Sequence, residues 1–239
     1  MKIALIGYGK MGKMIEKFAL ERNHQISWKI DLDNHDDIFK ISPQDTDVAI
    51  EFTSPESAVN NLRTLISQGV NVVCGTTGWT HQLPEIQDLA KKHGIAFLWS
   101  SNFSIGVNLF FKLNQYLAQL MARYPQYRAE MEEIHHIHKK DAPSGTAITL
   151  AEAIIKHIPR YTHWTLDTMH TDENALKIKA VREGEVPGTH IIKYHSAVDA
   201  IQISHIANSR EGFAMGAVIA AEYLYGKKGI FSMNDVLSL

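Results

Sequence analysis

The chain has a single cysteine, Cys74, so no intrachain disulfide can form, and the expected setting is a reducing cytoplasm. It lacks an excess of either charge, with 24 Lys and Arg against 26 Asp and Glu. Duplex binding needs a basic stripe to displace counterions, and with none present a nucleic-acid partner is not expected. No run reaches the roughly 18 apolar residues of a membrane helix. The opening MKIALIGYGKMG breaks its apolar run with glycine and lysine too early for a signal peptide. Repeats, low-complexity tracts and flexible linkers are also missing. What is present is 239 residues, 45% of them apolar, enough for one large domain or two modest ones.

The first half alternates short β-branched runs with amphipathic stretches. Strands are expected at 2–7, 25–31, 46–55, 70–78 and 95–104, with helices at 13–22, 57–69 (closed by Gly69) and 83–92. Strand and helix in turn imply a doubly wound parallel sheet. Past Asn102 the rhythm changes to a long helix at 107–124, a strand at 129–138 and a helix at 147–158. Strand candidates at 176–184, 189–197 and 199–207 then follow without helices between them, as in an antiparallel meander. The expectation is an α/β chain: an N-terminal Rossmann-type domain of residues 1–103 plus 210–239, and a second α+β domain, 104–209, on a mainly antiparallel open sheet. The apolar helix at 213–229 would pack back on the first domain.

GYGKMG, Gly7 to Gly12, matches G-x-G-x-x-G directly after a strand and at the opening of a helix. There Gly7 makes the tight turn, Gly9 admits a pyrophosphate to the backbone N–H groups, and Gly12 lets helix pack on strand. Asp31 ends the second strand at the distance where a carboxylate accepts from the adenosine ribose hydroxyls. Asp31 is followed by Leu32 and Asp33 with no arginine, so NADH is expected over NADPH, although Lys10, Lys13 and Lys29 are near in sequence. Loops after Phe52, Cys74 and Trp99 read TSP, GTTG and SNFS, small and hydroxylic enough to meet a nicotinamide.

EIHHIHKKDAPSGTA, Glu133 to Ala147, gathers three histidines and two lysines before a small-residue turn. On a strand Glu133 and His135 share one face, Ile134 and His136 the other. Ser144 fits an N-cap, and the N–H groups of Gly145, Thr146 and Ala147, with the helix dipole, make an anion site. Thr146 would add a hydroxyl there, and Lys139 or His136 charge-assisted hydrogen bonds. A metal site is the rival reading, but no thiolate accompanies the histidines and strand alternation sends neighbours to opposite faces, so no metal is expected. A solvated basic loop is the bland alternative. A substrate site with a histidine proton donor accounts for more of the pattern.

This central motif, with GYGKMG, DVAIEFTSP, VCGTTG, SSNFSIGVN, VREGEVPGTH and ISHIANSREGFAMGA, closely resembles the dihydrodipicolinate reductase (4-hydroxy-tetrahydrodipicolinate reductase) family over nearly the whole chain. The resemblance implies reduction of a cyclic imine dicarboxylate by NAD(P)H in the diaminopimelate and lysine pathway, with hydride to C4 and a proton from His135. It further implies Lys139 as a second donor or charge stabiliser, and His136, Lys139, Ser144, Gly145 and Thr146 around the substrate carboxylates. On the cofactor side it implies Gly7, Tyr8, Gly9, Lys10, Met11, Gly12, Asp31, Gly75, Thr76, Thr77, Ser100, Ser101, Asn102 and Phe103. A homotetramer and domain closure about 101–104 and 208–211 are implied as well. Glu51, Ser100, Ser101 and Lys10 depart mildly from the family pattern. Two other functions remain to be separated: a general two-domain dehydrogenase, which would not need the Pro-Ser-Gly-Thr anion site, and an NADH-sensing regulator, which would need a DNA-binding element or an interaction surface.

Overall fold

A computed structural model describes every residue except 167, 168, 170 and 171. The chain divides into two compact units, Met1–Ile105 with Glu211–Leu239, and Gly106–Arg210. Among the described residues no helix is long and apolar enough to cross a membrane.

The first unit is a six-stranded, wholly parallel sheet. Its strands are β1 (Lys2–Ile6), β2 (Gln25–Ile30), β3 (Val48–Glu51), β4 (Asn71–Cys74), β5 (Ala96–Trp99) and β11 (Gly229–Phe231), in the order β11-β5-β4-β3-β1-β2. Helices α1 (Lys10–Glu21), α2 (Pro55–Ser67), α3 (Leu83–His93), α6 (Glu211–Leu224) and the short α7 (Met233–Leu237) complete the unit. Strands that bury both faces supply two cores at once: Ala4 and Ile6 of β1 point into one, Ile3 and Leu5 into the other. Chain order reverses beside β1, whose neighbours are β2 and β3, so the carboxyl ends of these three strands frame the crevice where such sheets take ligands.

Helix α6 packs its small residues Ala214, Gly216, Ala217, Ala220 and Ala221 against the sheet as expected for a returning C-terminal helix. At Gly216 the approach is so close that a Cβ would stand 1.8 Å from the Phe103 carbonyl oxygen. Glu222 then accepts from Arg22 at 2.7 and 2.8 Å and meets His24 at 2.8 Å, tying α6 to the end of α1.

The second unit holds α4 (Ile105–Met121, its first residue in the other unit), β6 (Arg128–His135), α5 (Gly145–His157), β7 (His163–Thr165), β8 (Ala175–Arg182), β9 (Thr189–His195) and β10 (Ala200–Ile206). Phe110, Ala118 and Met121 of α4 and Leu150, Ala151 and Ile154 of α5 pack on Met131, Ile178, Ile192 and Tyr194 of the sheet. Two expectations are corrected here. The sheet is mixed rather than mainly antiparallel: its order is β10-β9-β6-β8-β7, with two antiparallel pairings and two parallel ones. β8, β9 and β10 therefore do not form a meander, because β6 lies between β8 and β9. α5 joins β6 to β7 by a crossover, so that both run parallel to β8, which fills the place beside β6, and the chain leaving β8 must pass β6 to pair on its other edge as β9. β6 also stops at His135, three residues before the expected end.

Candidate active site

In the first unit Gly7 has φ +91°, a conformation open to glycine, and a Cβ there would lie 2.0 Å from the Phe52 carbonyl oxygen. A Cβ on Gly12 would likewise lie 2.3 Å from the Gly7 carbonyl oxygen. Gly9 is exposed, with nothing within 4 Å of its Cβ position, and caps α1, which begins at Lys10. The loop thus has its tight turn, its packed glycine and an open backbone face where a pyrophosphate fits. A cavity of about 260 Å³ adjoins it, lined by Gly7, Gly9, Asp31, Leu32, His35 and Asn61 among others. Asp31 caps the 3-10 segment Leu32–Lys40, its Oδ1 accepting from Leu32 N at 3.0 Å. Tyr8 donates to Glu16, and the Lys29 ammonium pairs with Glu16 at 2.6 Å while lying 4.9 Å from the Tyr8 ring centre. Lys29 is therefore engaged, and Lys10 is exposed.

A second cavity, about 200 Å³, is lined by Met11, Phe52, Thr53, Pro55, Gly75, Thr76 and Thr77. Phe52 and Thr53 line both cavities, so the structure brings the glycine loop, Asp31 and the Gly75–Thr77 loop around one strand end. Thr76 Oγ1 accepts from Thr53 N at 2.8 Å, and the Thr76 carbonyl accepts from the Trp79 and Trp99 indoles at 2.7 and 2.9 Å. Residues 100–103 line neither cavity. Ser100 Oγ donates to Asn102 O at 2.8 Å, Ser101 is exposed, and the Phe103 side chain belongs to the core. His35, whose Nε2 is 3.0 Å from Asn61 Oδ1, and Asn61 itself were not found from sequence, because neither belongs to a motif.

In the second unit β6 alternates as its sequence predicts, and Glu133 and His135 fall on the inward face. Beyond His135 the chain turns through Pro143 to Ser144, which caps α5 by accepting from Ala147 N at 3.1 Å. The Ala147 N–H is thereby taken, a correction to the expected set of free amides, and Ser144 N donates to both Glu133 oxygens at 3.1 Å. The Ser144 hydroxyl points inward, 3.2 Å from His190 Nε2, while Gly145 is exposed and Thr146 half-buried. Arg182 donates to Glu133 Oε1 at 3.2 Å and to the Asp141 carbonyl at 2.6 Å. His135 Nδ1 lies 3.3 Å from Glu133 Oε2, and its ring meets that of His190 edge-on, centres 5.2 Å apart.

Burial pushes the Glu133 carboxyl up, but the His135 ring close to Oε2 and the hydrogen bonds from Ser144 together outweigh it and bring the group down to about 2. Burial, with His135 beside it, takes His190 down to about 4, against a smaller upward pull from Glu133. His136 lies 3.2 Å from the Arg210 guanidinium, and burial followed by that cation holds it below the usual imidazole range. Lys139 is paired with the Asp141 carboxylate at 2.7 and 2.8 Å, and His138 with Glu185 at 3.1 Å. Glu133, His135 and His190 have ligand atoms within 4.8 Å of one another, a spacing a small cation can span. The Arg182 guanidinium already on Glu133 opposes a further cation there, and the cluster is suited to handling a proton.

Arg182 and His190 stand near the two ends of the stretch VREGEVPGTH, but their part in the site was missed because only sheet pairing brings them beside Glu133 and His135. Arg182 is the β8 partner of His135, and His190 the β9 partner of Glu133. Arg210 lies in the stretch ISHIANSREGFAMGA that carries the resemblance, but nothing local there marks it as a partner of His136.

Two family models match the chain, the second running past Arg210 into the helix that belongs to the first unit. Dihydrodipicolinate reductase, N-terminus, matches residues 1–103, and dihydrodipicolinate reductase, C-terminus, matches 106–237. A 4-hydroxy-tetrahydrodipicolinate reductase of Christiangramia forsetii is 48% identical over 100% of this chain and 98% of its own. Another, from Methanocaldococcus jannaschii, is 35% identical over 98% of this chain and 81% of its own. A dipicolinate-bound dihydrodipicolinate reductase from Paenisporosarcina sp. TG-14 shares the fold, with a TM-score of 0.75 at 22% identity over 97% of each chain.

Proposed function

Since the chain belongs to the dihydrodipicolinate reductase family and is an oxidoreductase with a dinucleotide-type sheet, we propose that it reduces 4-hydroxy-tetrahydrodipicolinate to tetrahydrodipicolinate in the diaminopimelate and lysine pathway. The observation that carries this reading is the end of β6. There His135, the His136–Arg210 pair, Lys139 and the start of α5 gather donors and positive charge suited to a dicarboxylate and to one proton transfer. The first unit binds the nucleotide and the second the substrate, as the family resemblance implies.

Gly7, Gly9, Asp31 and the Gly75–Thr77 loop would hold a reduced nicotinamide dinucleotide, which would supply a hydride to C4 of the ring once the 4-hydroxyl has left as water and a ring double bond conjugates C4 with the imine. The remaining chemistry falls to side chains. Gly145 and Thr146 at the α5 N-terminus take one carboxylate, while His136 and Arg210 take the other. Lys139 exchanges Asp141 for the substrate and offsets the electron density that the ring gains. His135 gives its proton to the electron-rich enamine carbon. Asp31 on the ribose, and the capture of Lys29 by Glu16, favour NADH over NADPH. A cytoplasmic homotetramer is the setting that the resemblance implies.

The test is loss of reduced-nicotinamide absorbance when the purified protein is fed the condensation product of pyruvate and aspartate semialdehyde, with NADH and NADPH in parallel. Substrate-dependent loss is expected, and His135→Gln should lower kcat on the order of a hundredfold or more with cofactor binding retained. No loss with either cofactor, from folded protein that binds NADH, refutes the proposal.

A further inference from the structure

Glu133 is wholly buried, sits two residues before His135 on one face of β6, and has no part in the chemistry described above. Its two oxygens are not equivalent. Both accept from Ser144 N, but Oε1 also takes Arg182 at 3.2 Å, whereas Oε2 faces His135 Nδ1 at 3.3 Å and His190 Nε2 at 4.0 Å. We propose that Glu133 is a positioning residue for His135: its Oε2 accepts the Nδ1 proton, fixing the ring so that Nε2 is the nitrogen that delivers the proton to substrate. This rests on His135 being the donor in the reading above.

The geometry supports the assignment from both sides of the ring. A carboxylate has only acceptors, so Oε2 can meet His135 Nδ1 only through an N–H. His135 Nδ1 is buried and makes no closed hydrogen bond among the described residues, consistent with a catalytic contact that shortens when substrate is bound. On the other side Nε2 lies against Gly188, where even a Cβ would stand 3.1 Å from it. Glycine there leaves the nitrogen uncovered. His190, buried against Ser144 Oγ, brings no hydrogen bond of its own to Oε2. In the transfer the Nε2–H bond breaks with its pair returning to the ring, and a C–H bond forms on the substrate. The neutral ring that remains carries its proton on Nδ1, where Oε2 accepts it. Glu133 thus holds the ring in one orientation before and after the step.

Glu133→Gln tests this sharply. Arg182 requires an oxygen at the Oε1 position, so the amide nitrogen takes the place of Oε2 and donates to Nδ1, forcing the neutral ring's proton onto Nε2. The first measurement is the tautomer of neutral His135 by ¹⁵N NMR of the full-length, substrate-free protein. Nδ1–H is expected in the wild type and Nε2–H in the variant. The second is steady-state kinetics, where kcat should fall on the order of a hundredfold while the cofactor KM stays within about twofold. In a His135→Gln background the same change should cost little more, since the two act as a unit. A wild-type ring already in the Nε2–H form, or a Glu133→Gln enzyme with wild-type kcat, overturns the assignment. The wild-type tautomer needs neither a variant that folds nor a known substrate, so this outcome is separate from failure of the proposed reaction.

Discussion

The second unit should lose stability in mild acid through one residue, His190. The residue is 5% exposed, its Nδ1 has no partner among the described residues, and its Nε2 is shared with Ser144 Oγ. Burial and the neighbouring His135 bring it from an ordinary 6.5 down to about 4. Between these values the unfolded chain binds a proton that the native protein refuses, so stability is full above pH 6.5 and falls as pH drops toward 4. At about 1.36 kcal/mol per pH unit the whole span is worth about 3 kcal/mol, and about 2 kcal/mol is already lost at pH 5. Glu133 contributes in the opposite window. Its folded value of about 2 lies below the ordinary 4.5, so its stabilisation is intact at pH 5 and is lost only below about 4.5. The assay is urea unfolding at pH 7.5 and pH 5, with amide hydrogen exchange of β6 and β9 to locate the change, on the wild type and His190→Gln. The glutamine keeps a polar atom near Ser144 and does not titrate. The wild type should lose about 2 kcal/mol more than the variant over that interval. Equal losses would show that His190 is not held neutral by its surroundings, and the electrostatic picture of the cluster would fail with it.

Two further outcomes test the first unit. Gly216→Ala should lift α6 from the Phe103 carbonyl, which its Cβ would meet at 1.8 Å, and cost about 1–3 kcal/mol of stability or more. A clear fall in Tm is expected by calorimetry, with Gly145→Ala, open to solvent, as the unchanged control; equal melting of the two would dismiss the packing argument. Asp31→Ala should raise the KM for NADH about tenfold or more and that for NADPH less, since a charged hydrogen bond to the ribose is worth about 1.5–3 kcal/mol. Parallel losses for the two cofactors would remove Asp31 from the ribose.

How far sequence reaches into such a molecule depends on the range of the interaction that decides each feature. α1 was legible because it buries a periodic face and β1 because its short apolar run stops at a glycine, and the three glycines of 7–12 carry their constraint within a few residues. The 3-10 segment Leu32–Lys40 shows no such period, and β7 and β11, with three residues each, are too short to show one. The same division runs through the candidate site. His135, Ser144 and the start of α5 lie within one continuous motif. Arg182 and His190 reach it only because β8 pairs parallel and β9 antiparallel with β6. A period of two tells which face a strand buries and is silent about which strand lies beside it. The long-range part is also where the electrostatics are decided. Glu133 would be an uncompensated buried charge without Arg182 and Ser144, so the proton donor read from the motif depends for its surroundings on strands that the motif does not contain.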